Sequence, residues 1–446
     1  MKRRDFLKIA GSAVLLLAAL GCAKQQKPTN VILIMADDIG YEVIGAYGSE
    51  QYKTPRIDRL AETGMRFNHC YSSPVCVPSR VKIMTGKSNV RNYVYWGLLD
   101  PEEKTIGHMM KDAGYTTCVA GKWQLHGDGA LGPETEGWGT RPEDAGFDEH
   151  FCWQLDAAVH HYWEPVFTVN GQTKAIPGED AFGPTFVNNY ICDFIDRNKE
   201  EPFFIYYPLL LPHLPFVPTP DSADRSSTAI QQNYEDMVAY MDKMVGRIVD
   251  KLEEAGVRAN TLILFTGDNG TPGGAKGGIV SELNGRTIEG GKSLTTDAGT
   301  RVALVANMPG TIPPGMVRDD LVDFSDMMPT ISDMTGAELP AGEVLDGVSF
   351  APQLRGMVGT PREWIYLYYE PVPGMTEPLI FARDQRWKLY SDGRLYDISK
   401  DVLEQQPLSD DGPVRQKLQA ALDSMPSEGM KIYRPEDPVR FMPDDG

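Results

Sequence analysis

The chain has 446 residues, with 62 Asp and Glu against 43 Lys and Arg, for a formal net charge of −19. So acidic a surface argues against nucleic acid as a partner, although a local cluster of cations could still hold a small anionic substrate. The length suits two or three ordinary domains, or one large α/β domain with an appendage, and 41% hydrophobic residues supply the core for either.

Residues 2–8 read Lys-Arg-Arg-Asp-Phe-Leu-Lys, and an apolar run follows over 13–20. A membrane-spanning helix takes about 20 apolar residues, so this run has the length of a signal-peptide core instead. Arg3-Arg4 ahead of Phe6-Leu7-Lys8 resembles a twin-arginine signal; an ordinary secretory signal is the alternative, and both imply export to the periplasm or cell envelope. Ala19-Leu20-Gly21-Cys22 resembles a lipoprotein cleavage box. Lipid on Cys22 would be the one membrane contact; plain cleavage near this point would release a soluble protein. Residues 1–21 are read as the signal and 22–29 as a polar tether. Cys70, Cys118, Cys152 and Cys192 match no zinc spacing; four thiols allow three disulfide pairings, but cargo folded in a reducing compartment favours free buried thiols.

The apolar run 31–35 predicts a buried strand ending in Ala36-Asp37-Asp38. A helix is expected over 55–64, opened by Pro55 and closed by Gly64. Strands follow over 116–120, leading into Gly121-Lys122-Trp123, and over 203–208, leading into His213. Apolar residues at helical spacing, from Tyr234 through Met237, Met241, Met244 and Ile248 to Leu252, predict a helix over 233–255. Further strands are expected over 261–265, ending in Thr266-Gly267-Asp268-Asn269-Gly270, and over 301–307.

Strands alternating with helices imply an α/β sandwich around a mostly parallel sheet, with ligands at the carboxyl ends of the strands. Beyond 336 the pattern changes. Close-spaced strands over 364–369, 379–383, 387–390 and 394–398, then a helix over 413–424, predict a small antiparallel sheet with one helix. The expected boundaries are 30–335 for a catalytic domain and 336–446 for a C-terminal subdomain, with an irregular tail from Ser427.

Asp37, Asp38, Asp268 and Asn269 offer only oxygens, all at predicted strand ends. Hard oxygen donors select calcium or magnesium over zinc. The most specific signal is Cys76-Val77-Pro78-Ser79-Arg80, followed by Met84-Thr85-Gly86-Lys87. It resembles the signature of type I sulfatases, members of the alkaline-phosphatase-like superfamily, and the resemblance runs through most of the chain from residue 30. The resemblance implies that a separate maturation enzyme reads Cys-x-Pro-x-Arg and oxidises Cys76 to formylglycine (3-oxoalanine). A hydrated aldehyde carries two hydroxyls on one carbon: one can attack sulfur, and the other can lose its proton to expel sulfate. A helix starting near residue 76, with Pro78 in its first turn, would favour an anion there.

The resemblance further implies a metal held by Asp37, Asp38, Asp268 and Asn269 with residue 76, usually calcium, with magnesium as the alternative. It assigns Lys122 and Lys292 to the sulfate, His213 to the leaving group, and Arg80 to holding residue 76. In the implied reaction Asp268 or a neighbouring ligand takes the nucleophile's proton, and His213, helped by Lys292, protonates the departing oxygen. One position departs from the pattern. The family has His two residues after the first lysine; this chain has Gln124 there, and His126 two residues further on. Gln124 can contact substrate but cannot act as a base. Either His126 reaches in, another group takes over, or turnover is impaired.

His160-His161-Tyr162-Trp163 could stack against a sugar ring, or could simply pack. The expected substrate is a sulfated carbohydrate, with segments 127–180 and 271–290 read as the loops that select it. A phosphonate or phosphate ester hydrolase of the same superfamily, and a non-catalytic lipoprotein that binds sulfated glycans, are the competing readings.

Overall fold

The computed structural model describes residues 28–127, 135–156, 160–409 and 412–433. The signal, Cys22 and nearly all of the tether lie outside the described residues, as does the end of the tail.

In chain order the strands are β1 (Asn30–Ala36), β2 (Met65–Tyr71), β3 (Thr116–Lys122), β4 (Glu149–Trp153), β5 (Val166–Val169), β6 (Gln172–Ala175), β7 (Phe203–Pro208) and β8 (Thr261–Gly267). They continue as β9 (Val280–Leu283), β10 (Arg286–Glu289), β11 (Arg301–Asn307), β12 (Met316–Asp323), β13 (Ile365–Tyr369), β14 (Leu379–Arg383), β15 (Trp387–Tyr390) and β16 (Leu395–Asp397). The longer helices are α1 (Pro55–Glu62), α2 (Cys76–Thr85), α3 (Ile106–Asp112), α4 (Gly183–Asn198), α5 (Ile230–Glu254), α6 (Met327–Thr335) and α7 (Pro413–Asp423).

Ten strands form the central sheet in the order β12-β2-β11-β8-β1-β7-β3-β4-β5-β6. The middle is parallel: β1 pairs with β7 and β8, and β3 with β7 and β4. β11 runs against both β8 and β2, so β2 points the same way as β8. The carboxyl ends of β1, β2, β3, β4, β7 and β8 therefore share one edge.

The period-2 alternation of β1 sets the layers. Val31, Leu33 and Met35 join the core beneath α2, α3 and α6; Ile32, Ile34 and Ala36 join the core beneath α1, α4 and α5. β13–β16 form a separate antiparallel sheet. One of its faces packs on α7 through Tyr366, Ile380, Leu389 and Leu418; the other face, with Leu367, Tyr369 and Phe381, packs on Val75 beside Cys76. The expected domain boundary at 336 falls just after α6, yet Phe350, Ala351 and Leu354 still pack in the core beneath α2.

Segments 127–180 and 271–290, expected to be loops, carry secondary structure. The first contains β4, β5 and β6, and the second the β9–β10 hairpin. β6 is exposed along its whole length, so no apolar alternation marks it in the sequence. The five described cysteines are all buried and unpaired.

Candidate active site

The shared edge gathers the charged residues. Asp37 and Asp38 follow β1, Asp268 and Asn269 follow β8, Lys122 ends β3, and His213 lies beyond β7. Backbone hydrogen bonds lace these ends together. The Asp268 N–H donates to the Ala36 carbonyl at 2.9 Å, the Asp37 N–H to the Leu211 carbonyl at 3.0 Å, and the Asp38 N–H to Asp268 Oδ1 at 2.9 Å. Asp38 takes a left-handed φ of 66°, a conformation more open to Asp than to most residues.

Cys76 is the first residue of α2, and every residue of that helix is buried. The neighbourhood holds the helix start in place: Ser79 Oγ donates to the Val75 and Ser73 carbonyls at 3.0 Å, and Asn89 Nδ2 to the Pro78 carbonyl at 2.8 Å. Pro78 sits in the first turn, where its missing N–H leaves no helical bond unmade. Gly86 closes the helix at φ 67°.

Arg80, wholly buried, donates to Asp268 Oδ2 at 3.0 Å and to the Lys122 carbonyl at 2.9 Å. Lys122 Nζ lies 2.8 Å from Asp37 Oδ2, and Lys292 Nζ 2.5 Å from Asp38 Oδ1. His213 Nε2 is 4.0 Å from Asp38 Oδ2, while its Nδ1 faces the Leu214 carbonyl at 2.7 Å. Burial opposes ionisation of Asp37, but Lys122, His213, Arg80 and Lys292 together outweigh it and hold the carboxyl far below its usual range. Burial and the Asp37 carboxylate push Asp268 the other way. Burial, reinforced by the Lys122 ammonium, lowers the His213 imidazole to about 4. Burial likewise raises the Cys76 thiol, against the pull of Lys122 and Lys292.

The donor set suits a hard cation. Asp37 Oδ1, Asp38 Oδ2 and Asn269 Oδ1 are buried oxygens with no hydrogen-bond partner. Asn269 Nδ2 donates to Asp38 Oδ1 and to the Gly270 carbonyl, both at 2.9 Å, which fixes its amide with the oxygen left over. Ligand atoms of Asp37, Asp38 and His213 lie within 4.8 Å of one another. Leaving buried oxygens unpaired is costly, and a bound calcium or magnesium would satisfy them.

The departure at Gln124 is now placed. Its backbone holds a φ of 58°, and its buried amide oxygen has no partner. His126 does not reach in. Its Nδ1 faces the Gly139 carbonyl at 3.0 Å, and its Nε2 faces the Arg141 guanidinium at 3.4 Å. A different histidine arrives. His161, 6% exposed, stacks on Trp153 with ring centroids 3.8 Å apart, and lies 6.1 Å from the His213 ring. Lys122 Nζ is 5.8 Å from the Trp153 ring centroid. Burial, helped by His213 and Lys122, keeps His161 neutral, and its Nε2 has no partner. Sequence reasoning singled out His161 only as a possible stacking group and passed over Trp153. The signal for Trp153 in the sequence is its place at the end of the short apolar run Phe151-Cys152-Trp153.

Comparison with known proteins identifies the family. The Sulfatase family profile matches residues 29–337, and the profile of the N-sulphoglucosamine sulphohydrolase C-terminal region matches residues 291–428. Arylsulfatase A of Homo sapiens is 30% identical over 85% of this chain and 78% of its own length. N-acetylgalactosamine-6-sulfatase of Canis lupus familiaris is 30% identical over 79% of this chain and 71% of its own. Among solved structures, Ps i-CgsB in complex with k-i-k-neocarrahexaose superposes with a TM-score of 0.72 at 23% identity, covering 91% of this chain and 94% of the other, a likeness of fold. With a profile spanning most of the large domain and a relative this similar across most of its length, the chain belongs to the sulfatase family and is a sulfuric ester hydrolase.

Proposed function

We propose that the protein removes a sulfate group from a carbohydrate, through a formylglycine at position 76 and a calcium ion held by Asp37, Asp38, Asp268 and Asn269. The observation that carries this reading is the meeting of unpartnered buried oxygens, the buried Lys122, the half-buried Lys292 and the first residue of α2 at one sheet edge. The name of one of the relatives above, N-acetylgalactosamine-6-sulfatase, carries a sugar and the position of its sulfate, which supports the choice of substrate class.

Bound calcium would polarise a sulfate oxygen and favour ionisation of the attacking hydroxyl. Lys122 and Lys292 neutralise the remaining sulfate oxygens, and Arg80 fixes Asp268 behind the first turn of α2. Asp268, whose charge acts on the Cys76 thiol, would take the proton from residue 76. His213, neutral at pH 7 in the free site, becomes a proton donor to the departing oxygen once an anionic substrate restores its proton affinity. Gln124 is a contact residue, since its amide can donate and accept hydrogen bonds without ionising. The N-terminal pattern supports export, with lipid on Cys22 as the anchor; cell fractionation of wild type and Cys22→Ala tests this.

The mass of the tryptic peptide containing residue 76, from protein made in its native host, tests the nucleophile. A shift of about −18 Da is expected for the change from thiol to aldehyde. An unmodified Cys76 in active protein would overturn the formylglycine reading. Comparing aryl sulfate with aryl phosphate turnover tests the choice of ester.

A further inference from the structure

A cleft of about 480 Å³ opens beside the charged cluster, between the large domain and the small sheet. Val75, Trp96, Lys292, Tyr369, Val372 and Glu377 stand on its wall. Val75 precedes Cys76, and Lys292 is paired with Asp38, so the cleft continues the active site. The 371–378 loop forms its far side. The loop is tied to the large domain by the Tyr93 hydroxyl, which donates to the Pro371 carbonyl at 2.7 Å. It also folds on itself, with the Met375 and Thr376 N–H groups donating to the Val372 carbonyl at 3.0 and 3.2 Å.

The wall is aromatic and aliphatic apart from a few polar groups. Its charged residues are Lys292, already opposite Asp38, and Glu377, which is exposed. We propose that this cleft holds the ring that carries the sulfate, and that it selects an uncharged ring with a single sulfate over a polyanionic one, with Glu377 as the discriminating residue. The inference rests on the sulfatase reading above. A neutral sugar ring offers a face of C–H groups that Trp96 and Tyr369 can cover. A second sulfate or a carboxylate on that ring would leave water for an apolar wall whose one cation, Lys292, is already paired with Asp38, and would face a carboxylate besides. The chain's net charge of −19 opposes the approach of polyanions in the same sense.

The test uses the enzyme with residue 76 converted and three esters: an aryl sulfate, a methyl hexoside monosulfate and the corresponding disulfate. The monosulfate is expected to exceed the disulfate in kcat/KM by roughly tenfold, mainly through KM. Glu377→Lys should shrink that ratio, and Glu377→Gln should shrink it less. Equal or better turnover of the disulfate, or a ratio that neither variant moves, would overturn the inference while leaving the sulfatase reading intact. Failure to turn over any of the three esters would overturn both.

Discussion

The ammonium of Lys122 lies 2.8 Å from Asp37 Oδ2, and neither side chain exposes any surface. Removing one partner of such a pair leaves a buried charge uncompensated, at a cost of about 3–5 kcal/mol. Lys122→Met leaves Asp37 with Arg80 at 3.8 Å, so it should destabilise the metal-free protein by less than that full amount. The loss should shrink when calcium is added, because the ion would take over the neutralisation of Asp37. Urea unfolding with and without calcium measures both. An equal loss in the two conditions would mean that Lys122 and the ion do not share Asp37.

Calcium itself should stabilise the fold. At a free concentration about 100 times its dissociation constant, the gain expected from mass action is about 2.7 kcal/mol. Asn269→Ala removes one of the unpartnered oxygens and should abolish most of that gain. A melting temperature indifferent to both calcium and chelator would refute the metal site.

His161 should matter to turnover where His126 does not. A neutral imidazole beside Lys122 and His213 can exchange a proton with a group in the site, and His161→Asn should lower kcat by roughly 10² while the circular dichroism spectrum stays native. His126→Asn, whose ring is engaged by Gly139 and Arg141, should leave kcat within about twofold. If the two variants behave alike, His161 does not supply the imidazole missing at position 124.

Far from the site, Asp242 of α5 accepts the N–H groups of Arg56 at 3.0 Å and Ile57 at 2.8 Å, satisfying the start of α1. Burial raises this carboxyl to about 6, against the N–H donors. A folded-state value above the unfolded one means a stabilising contribution that is complete below about pH 4 and lost as pH rises through 6. The difference is on the order of 2–3 kcal/mol. Asp242→Asn should remove this pH dependence, so wild type should lose stability relative to the variant between pH 4 and 6. Parallel stability curves over that range would contradict the titration.

The strands that carry Asp37 and Asp268 were legible because buried parallel strands leave unbroken apolar runs, and because Asp-Asp and Asp-Asn-Gly stop those runs abruptly. α5 was legible through its 3.6-residue stripe, although it begins at Ile230, three residues earlier than the stripe suggests. α2 gave no amphipathic signal because it is buried on every side; only the Cys-x-Pro-x-Arg motif marked it. β2 was missed because Arg66, Asn68 and His69 interrupt its apolar residues. His161 could not be placed from sequence. It enters the site through a ring stack on Trp153, a contact between residues with no local pattern linking them.

Cys76 is 2% exposed, at the head of a helix with no exposed residue, and the small sheet packs on Val75 beside it. Another protein's active site needs an extended, reachable segment, and the folded state offers none at this position. Any enzymatic change at residue 76 is thus a matter of timing: it has to happen while the chain is still being made or is still open. On the formylglycine reading, a molecule that missed the step before the small sheet docked would keep its thiol, and a maturation enzyme met later would find residue 76 out of reach.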